Sequence, residues 1–415
     1  MEAISQFQIF SVPVIALVGF CLASYAIVAN DVIQTLGTFL SSNAKRPWVI
    51  LWVYAATIIV AVMAYGWFTH SGDIAFGRLN KIPFPEGGIQ WWHAIPPLFL
   101  LVMTRFGIPV STTFLVLTIF TFTGGTATEG VLGKMLFKSL MGYVVAFVAA
   151  GVLYALISRM FEKWVHKTQS DNHHIIWYVL QWLSTAFLWS QWLMQDLANI
   201  FVFLPRETVV DANGDVTVAF SAGLIIFATL LMVALHAIIF ATRGGEIQKI
   251  VLTKTNTVDP RAATLIDLSY GLILWYFKEL NDVPMSTTWV FLGLLAGREL
   301  AISLVAQLRS VGEAVFDVIT DVIRGSIGLI VSVVLAIGLP AIATGEVPNI
   351  MEQVFGVKAS EDLEDAGQSL SDVVEELSDN TPAEAQGGDV DETAPEDMPA
   401  ATEGETEGEG ESQPQ

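Results

Sequence analysis

Apolar segments of membrane-crossing length recur along this sequence and leave it few folds to choose from. They run over residues 9–28, 47–68, 140–157, 175–203, 219–241 and 327–343, each near the ~20 residues a helix needs to cross the hydrocarbon layer. Of 415 residues, 53% are hydrophobic and 15% charged, against about 25% charged in soluble domains. The expected class is an all-α membrane protein, because a helix satisfies its own backbone hydrogen bonds where no water is at hand. The N-terminus, Met1-Glu2-Ala3-Ile4-Ser5-Gln6, lacks the basic region of a cleavable leader, so the first span is expected to stay in the mature chain.

The net charge of −21 belongs to one end. Residues 361–411 hold 19 of the 41 acidic residues and no Lys or Arg, which leaves 22 acidic against 20 basic elsewhere. The nearly neutral body gives no sign of binding nucleic acid. Its one cysteine, Cys21, excludes an intrachain disulfide. The six His show no ligand spacing, and the adjacent His173-His174 read as solvated rather than as a metal site.

Shorter apolar pieces, 93–106, 110–122, 265–277 and 285–295, are bounded by Pro, Gly or charge. They read as half-helices or re-entrant hairpins, which membranes tolerate only inside protein or around a polar cavity. Basic residues gather at Lys45-Arg46, at Arg159, Lys163 and Lys167, and at Arg243, Lys249, Lys254 and Arg261. The positive-inside rule puts these loops in the cytoplasm and loops 71–90 and 205–218 outside. The expected organisation is a first transmembrane repeat over 1–160, a cytoplasmic linker over 161–174, a second and inverted repeat over 175–345, and an acidic, mostly disordered tail over 346–415. Within that tail, Leu363, Leu370, Val373, Val374 and Leu377 could form one amphipathic helix. Arg298, Glu299, Arg309, Glu313, Asp317, Asp321 and Arg324 read as an interfacial stretch before the last span.

Two polar motifs recur. Ala29-Asn30-Asp31-Val32-Ile33-Gln34 and Met194-Gln195-Asp196-Leu197-Ala198-Asn199 each interrupt an apolar segment with amide, Asp, two apolar residues and amide. On a helix these polar side chains share a face. A carboxylate at that depth costs about 2.5–3.5 kcal/mol, so it should be paired or bound to a cation. Carboxylate and amide oxygens suit Na⁺ and argue against transition metals. Asn30, Asp31, Gln34, Gln195, Asp196 and Asn199 are thus candidate ligands for a coupling cation.

The second pair is Gly107-Ile108-Pro109-Val110-Ser111-Thr112-Thr113 and Asp282-Val283-Pro284-Met285-Ser286-Thr287-Thr288. Pro beside Ser and Thr marks a helix N-terminus, whose free N–H groups and hydroxyls form an anion site. Ser111, Thr112, Thr113, Ser286, Thr287 and Thr288 are the candidate anion ligands. Ser111 follows Asn30 by 81 residues and Ser286 follows Gln195 by 91, so the motifs keep order and spacing in both halves. Inverted repeats whose broken helices meet near the midplane are a common way for secondary transporters to build a site.

These residues resemble the inorganic phosphate transporter (PiT) family of sodium- or proton-coupled permeases, as a divergent member. Ala29-Asn30-Asp31-Val32 and Asp196-Leu197-Ala198-Asn199 match parts of its duplicated Gly-Ala-Asn-Asp-Val-Ala-Asn signature. Pro109-Val110-Ser111-Thr112-Thr113 matches its Pro-Val-Ser-Thr-Thr-His signature. The resemblance covers roughly residues 10–345. It implies that the Ser-Thr-Thr loops hold inorganic phosphate and the Asn-Asp helices hold the cations. Gln34 and Gln195 depart from the family's Asn, and Phe114 and Trp289 stand where it has His.

With no conspicuous Arg near the anion, Asp31, Asp196 and phosphate sum to about −3 to −4, which a low-dielectric interior would not hold unpaired. Two helix N-termini offer about half a charge each, so about two cations are expected with each anion, which is symport. The expectation is a multi-pass protein of the inner (plasma) membrane taking up phosphate with Na⁺ or H⁺ and no other cofactor. Sulfate or another oxyanion, and a passive anion channel, are the alternatives. An enzyme is not expected, because the motifs lack general acid–base groups. Oligomeric state is not legible, though many such transporters form homodimers.

Overall fold

A computed structural model describes residues 8–9, 12–106, 110–123, 128–168, 173–210, 216–242, 259–280, 283–307, 310–345, 347 and 350–355. It is an all-α membrane protein. In order come α1 (Val14–Ser42), α2 (Trp48–Thr69), a 3₁₀ turn (Trp91–Ala94) leading into α3 (Ile95–Arg105), α4 (Thr112–Thr123), α5 (Val131–Ile157) and α6 (Phe161–Lys167). Then follow α7 (Ile175–Phe201), α8 (Ala222–Ala241), α9 (Pro260–Leu280), α10 (Thr287–Ala301) with a π-helical end (Ile302–Ala306), α11 (Val311–Thr344) and α12 (Ile350–Phe355). The strands among the described residues are two short hairpins, Gln8–Ile9 with Val12–Pro13 and Glu207–Val210 with Val216–Ala219.

Among the described residues, six segments are long and apolar enough to cross a bilayer: Val14–Asp31, Trp48–Thr69, Val131–Ile157, Ala222–Ala241, Thr287–Ala306 and Val311–Thr344. The 27-residue α7 is not one of them. Its buried face carries Gln181, Ser184, Thr185, Gln191, Gln195, Asp196 and Asn199, so it needs protein around it.

Several expectations shift. The motifs around Asp31 and Asp196 do not break their helices; α1 and α7 run through them, because Asn, Asp and Gln can stay helical when their side chains find partners. The piece at 285–295, expected to be too short to span, belongs to a 20-residue segment that is 72% buried. Loop 71–90 packs into the protein, with Ile74, Ala75, Leu79 and Ile82 wholly buried. The stretch before the last span joins it in one 34-residue helix, α11. Arg298 is not interfacial: it lies buried in α10, 2.8 Å from Glu299, with its guanidinium over the Tyr154 ring. Residues 107–109, Arg243, Lys249, Lys254, Asp282, Arg309 and the tail from 356 onward, including the expected helix around Leu370, lie outside the described residues.

Packing follows a reciprocal pattern. In the first half α1 packs on α3, and in the second α7 packs on α9. α4 packs on α11, and α10 on α5, so each hairpin arm lies against the long helix of the other half. The α5–α10 contact is the most extensive. Gly293 and Gly297 let the backbones meet, as small residues four apart do in membrane helices. A Cβ at either would fall 2.3 Å from Tyr143 O or 2.1 Å from Phe147 O.

Candidate anion and cation site

The tips of both broken helices and the middles of α1 and α7 converge. Ser111 Oγ accepts from Phe114 N at 3.2 Å and Ser286 Oγ accepts from Trp289 N at 3.2 Å. Both serines therefore cap their helices, and the adjacent N–H groups remain the positive end of each dipole. The tips also brace each other. Thr113 Oγ1 donates to Met285 O at 3.0 Å, and Thr288 Oγ1 donates to Val110 O at 3.3 Å. In each case the second Thr of one motif reaches the residue just before the Ser of the other.

Asp31 is wholly buried and both its oxygens are occupied. Oδ1 accepts from Asn30 Nδ2 at 2.6 Å and from Gln34 Nε2 at 3.5 Å, and Oδ2 accepts from Thr112 Oγ1 at 2.6 Å. Asn30 is itself fixed to Val110 O at 3.0 Å and receives the Thr104 hydroxyl at 3.3 Å. Asp196, also wholly buried, accepts on Oδ1 from Asn199 Nδ2 at 2.7 Å and Thr113 Oγ1 at 3.2 Å. Its Oδ2 has no donor, and neither Asn199 Oδ1 nor Thr287 Oγ1 has a hydrogen-bond partner. The Thr287 hydroxyl lies beside the Asp196 carboxylate and interacts with it, although the pair falls outside strict hydrogen-bond geometry. Asp196 and the two side chains beside it, Asn199 and Thr287, thus each carry a buried oxygen without a geometric hydrogen-bond partner. That donor set suits a hard monovalent cation.

Eleven of the twelve candidate residues bond to, or stand among, one another. Gln195 is turned away. Its Oε1 accepts from Arg78 Nε at 2.8 Å and its Nε2 donates to Leu274 O at 3.1 Å. The sequence shows no conspicuous Arg near these motifs, yet the fold brings Arg78, 1% exposed, within electrostatic reach of Asp196. Its position is built locally. Asp73 accepts from Ala75 N at 2.8 Å and Gly77 N at 2.6 Å, and Phe76 and Gly77 take left-handed φ of 53° and 79°, turning the chain so that Arg78 points inward. An isolated Arg in a polar loop carries no sequence mark of this placement.

A third buried carboxylate, Asp267 of α9, accepts from Thr38 Oγ1 and Thr185 Oγ1 at 2.5 Å each. Thr38 lies two turns from Asp31, about 10 Å along α1. The sequence hides this group because its three residues come from three separate helices. Phe114 and Trp289, the two departures from the family's His, meet edge to face with ring centres 6.3 Å apart. A cavity of about 990 Å³ is lined by Lys81, Glu129, Lys134, Lys138 and Tyr276, and Lys138 Nζ donates to Val283 O at 2.8 Å, close to the second tip.

The fold has a solved counterpart. The chain is similar to a structure described as "The sodium-dependent phosphate transporter", with TM-score 0.50 and 16% identity, over 78% of this chain and 95% of that one. At that identity the likeness is one of fold. No family model and no curated protein matches the chain.

Proposed function

We propose that this chain is a secondary active transporter of the inner (plasma) membrane that takes up inorganic phosphate together with Na⁺ or H⁺. The observation that carries this reading is the meeting of two helix N-termini with two buried carboxylates from α1 and α7. An oxyanion suits the N–H groups and hydroxyls of Ser111–Thr113 and Ser286–Thr288; a cation suits Asp196 Oδ2, Asn199 Oδ1 and Thr287 Oγ1. Neither charge is stable there alone, because low dielectric makes an uncompensated ion costly, so the two bind together. The fold similarity to a protein described as a sodium-dependent phosphate transporter is in keeping with phosphate as the cargo.

The reciprocal bonds Thr113–Met285 and Thr288–Val110, and the exchanged packing of α4 and α10, fit two repeats related by a pseudo-two-fold axis. The basic loops make those repeats inverted. Alternating access then comes from parting the tips on one side and then the other. A site closed by its own hydroxyls in this way favours a carrier over an open pore. Radiolabelled phosphate uptake into proteoliposomes tests the proposal. Phosphate should accumulate only with an inward Na⁺ or H⁺ gradient, and unlabelled phosphate should compete better than sulfate. Stronger competition by sulfate would reassign the cargo, and uptake indifferent to both gradients would make the protein a channel.

A further inference from the structure

None of the twelve candidate ligands lines the cavity of about 990 Å³, so it calls for an occupant of its own. Its walls come from α5, the end of α9 and α12, with Lys81 reaching in from loop 71–90. α12 packs on α5 main chain to main chain at Gly133, where a Cβ would run into Val354 O. Charged and apolar lining are sorted along α5. Glu129 stands just before the helix and Lys134 and Lys138 in its first eight residues, whereas Met141 and Val145 lie further in. From Lys134 to Val145 that wall runs about 16 Å, at ~1.5 Å per residue. α5 is apolar enough to cross a bilayer, and Phe137, Met141, Tyr276 and Phe355 are exposed along the groove. An exposed apolar patch of this kind marks an interaction site, and beside a membrane span the partner at hand is lipid.

Among the described residues, the charged side chains that line the cavity are Lys81, Glu129, Lys134 and Lys138. Lys138 is buried and already engaged, its Nζ donating 2.8 Å to Val283 O. Lys81 and Lys134 are exposed and make no ion pair among the described residues. Glu129 Oε1 is buried with no hydrogen-bond partner. Lys278 and Glu279 of α9 close on each other at 2.7 Å and do not line the cavity. The lysines call for a phosphate group, Glu129 for a hydrogen-bond donor beside it, and the apolar length for an alkyl chain. Inorganic phosphate would leave that length bare. We propose that this groove is a specific site for an anionic phospholipid, with its phosphodiester on Lys81 and Lys134, a headgroup hydroxyl on Glu129 and an acyl chain along α5 towards Val145. Basic pockets between transmembrane helices hold lipid headgroups on the same physical grounds. The lipid lies beside Lys138, and Val283 stands two residues before Met285, whose carbonyl takes the Thr113 hydroxyl. It therefore braces the second tip from the membrane side. Binding of the lipid does not depend on which cargo is carried.

The test uses full-length protein purified in detergent, with native mass spectrometry counting the lipid retained as phosphatidylglycerol or phosphatidylcholine is titrated in. Wild type should hold one phosphatidylglycerol at least tenfold more tightly than phosphatidylcholine, whose headgroup carries its own cation and no donor for Glu129. The double variant Lys81→Gln with Lys134→Gln should bind phosphatidylglycerol at least tenfold more weakly. Val145→Trp, which fills the chain end and keeps both lysines, should also weaken it several-fold. Inorganic phosphate at millimolar concentration should not displace the lipid. Equal retention of the two lipids by wild type would overturn the proposal, as would unchanged binding in the lysine variant. Displacement by inorganic phosphate, or a loss in the lysine variant with Val145→Trp unaffected, would make the groove a site for free anions and overturn it as well. Should a variant not be recovered folded, the two lipids and inorganic phosphate on wild type still decide.

Discussion

Asp31 and Asp196 occupy matching places in the two halves but keep different company. Asp31 has donors on both oxygens, from Asn30, Gln34 and Thr112. Asp196 keeps one oxygen without a donor, beside the unpartnered oxygens of Asn199 and Thr287, and has Arg78 within reach. Two similar sequence motifs thus stand in different surroundings, set by the side chains brought to each. Asp31 is a structural acceptor that holds the first tip; in the proposed function Asp196 is the carboxylate left open to a ligand.

The largest test of that contrast exchanges the acids one at a time. Asp196→Asn should remove most of the cation dependence of uptake, lowering apparent cation affinity by at least ~10–100-fold, in line with ~1–3 kcal/mol for a lost buried polar contact and more for a charged one. Asp31→Asn keeps an acceptor for Thr112 and should cost less. Cation titrations of uptake for the two variants compare them, and equal losses would erase the distinction. Protein level and monodispersity should hold in Asp196→Asn, whose Oδ2 has no donor to lose, and less well in Asp31→Asn, where the new amide nitrogen must face a donor.

Packing offers a second contrast. α10 meets α5 backbone to backbone, whereas a Cβ on Gly328 of α11 would lie 3.3 Å from the Val110 side chain, a tight contact but with a side-chain methyl rather than a carbonyl. Gly297→Ala would place its methyl 2.1 Å from Phe147 O, so helix α10 must shift. Overpacking of this kind costs ~1–3 kcal/mol or more, whereas Gly328→Ala, which asks the Val110 side chain to give by only a few tenths of an ångström, should cost less. Thermal unfolding of the detergent-solubilised variants ranks them, and a Gly328→Ala protein as unstable as Gly297→Ala would contradict the packing asymmetry.

The threonines sharpen the comparison further. Thr113 bonds to Asp196 and Met285 O, while Thr288 bonds to Val110 O alone. Thr113→Val should therefore weaken phosphate affinity more than Thr288→Val, by ~1–3 kcal/mol against the lower end of that range. Apparent affinities from uptake curves settle the order.

Much of this site was legible in the sequence because its chemistry is duplicated. Two Asp-amide motifs and two Ser-Thr-Thr motifs at spacings of 81 and 91 residues mark the residues that meet in space. What stayed hidden comes from single residues whose placement depends on tertiary structure. Arg78 is aimed by a turn with left-handed φ, and Asp267 finds Thr38 and Thr185 on separate helices; none of these repeats. Helix lengths were underestimated for a similar reason. The first eight residues of α5 and α11 contain Lys134, Lys138, Glu313 and Asp317, whose charge ends an apolar run in sequence without ending a helix.

The smallest expected effect concerns the start of the second half's α9, where Asp259 pairs with Arg261 at 2.6 Å and Arg261 stacks over Trp164 of α6. Burial alone would raise the Asp259 carboxyl, but the hydrogen bonds and charge of Arg261 outweigh it and hold the group below its usual range. Because the folded value is depressed, this clasp stabilises the protein above the unfolded carboxylate pKa of about 3.9 and loses that contribution as pH falls through the lower folded value. Asp259→Asn should flatten that acid limb of the thermal-stability profile slightly and leave transport unchanged. An unaltered limb would remove the clasp from the account.

The central claim is that anion and cation occupy one site and compensate each other. Linkage makes this measurable, since each ligand must change the other's affinity by the same factor. Phosphate binding to purified protein, titrated at increasing Na⁺ and separately at decreasing pH, is the most direct measurement. The account predicts that phosphate affinity rises at least tenfold with one of the two cations and that Asp196→Asn abolishes the rise. Phosphate affinity independent of both Na⁺ and pH in the wild-type protein would contradict it.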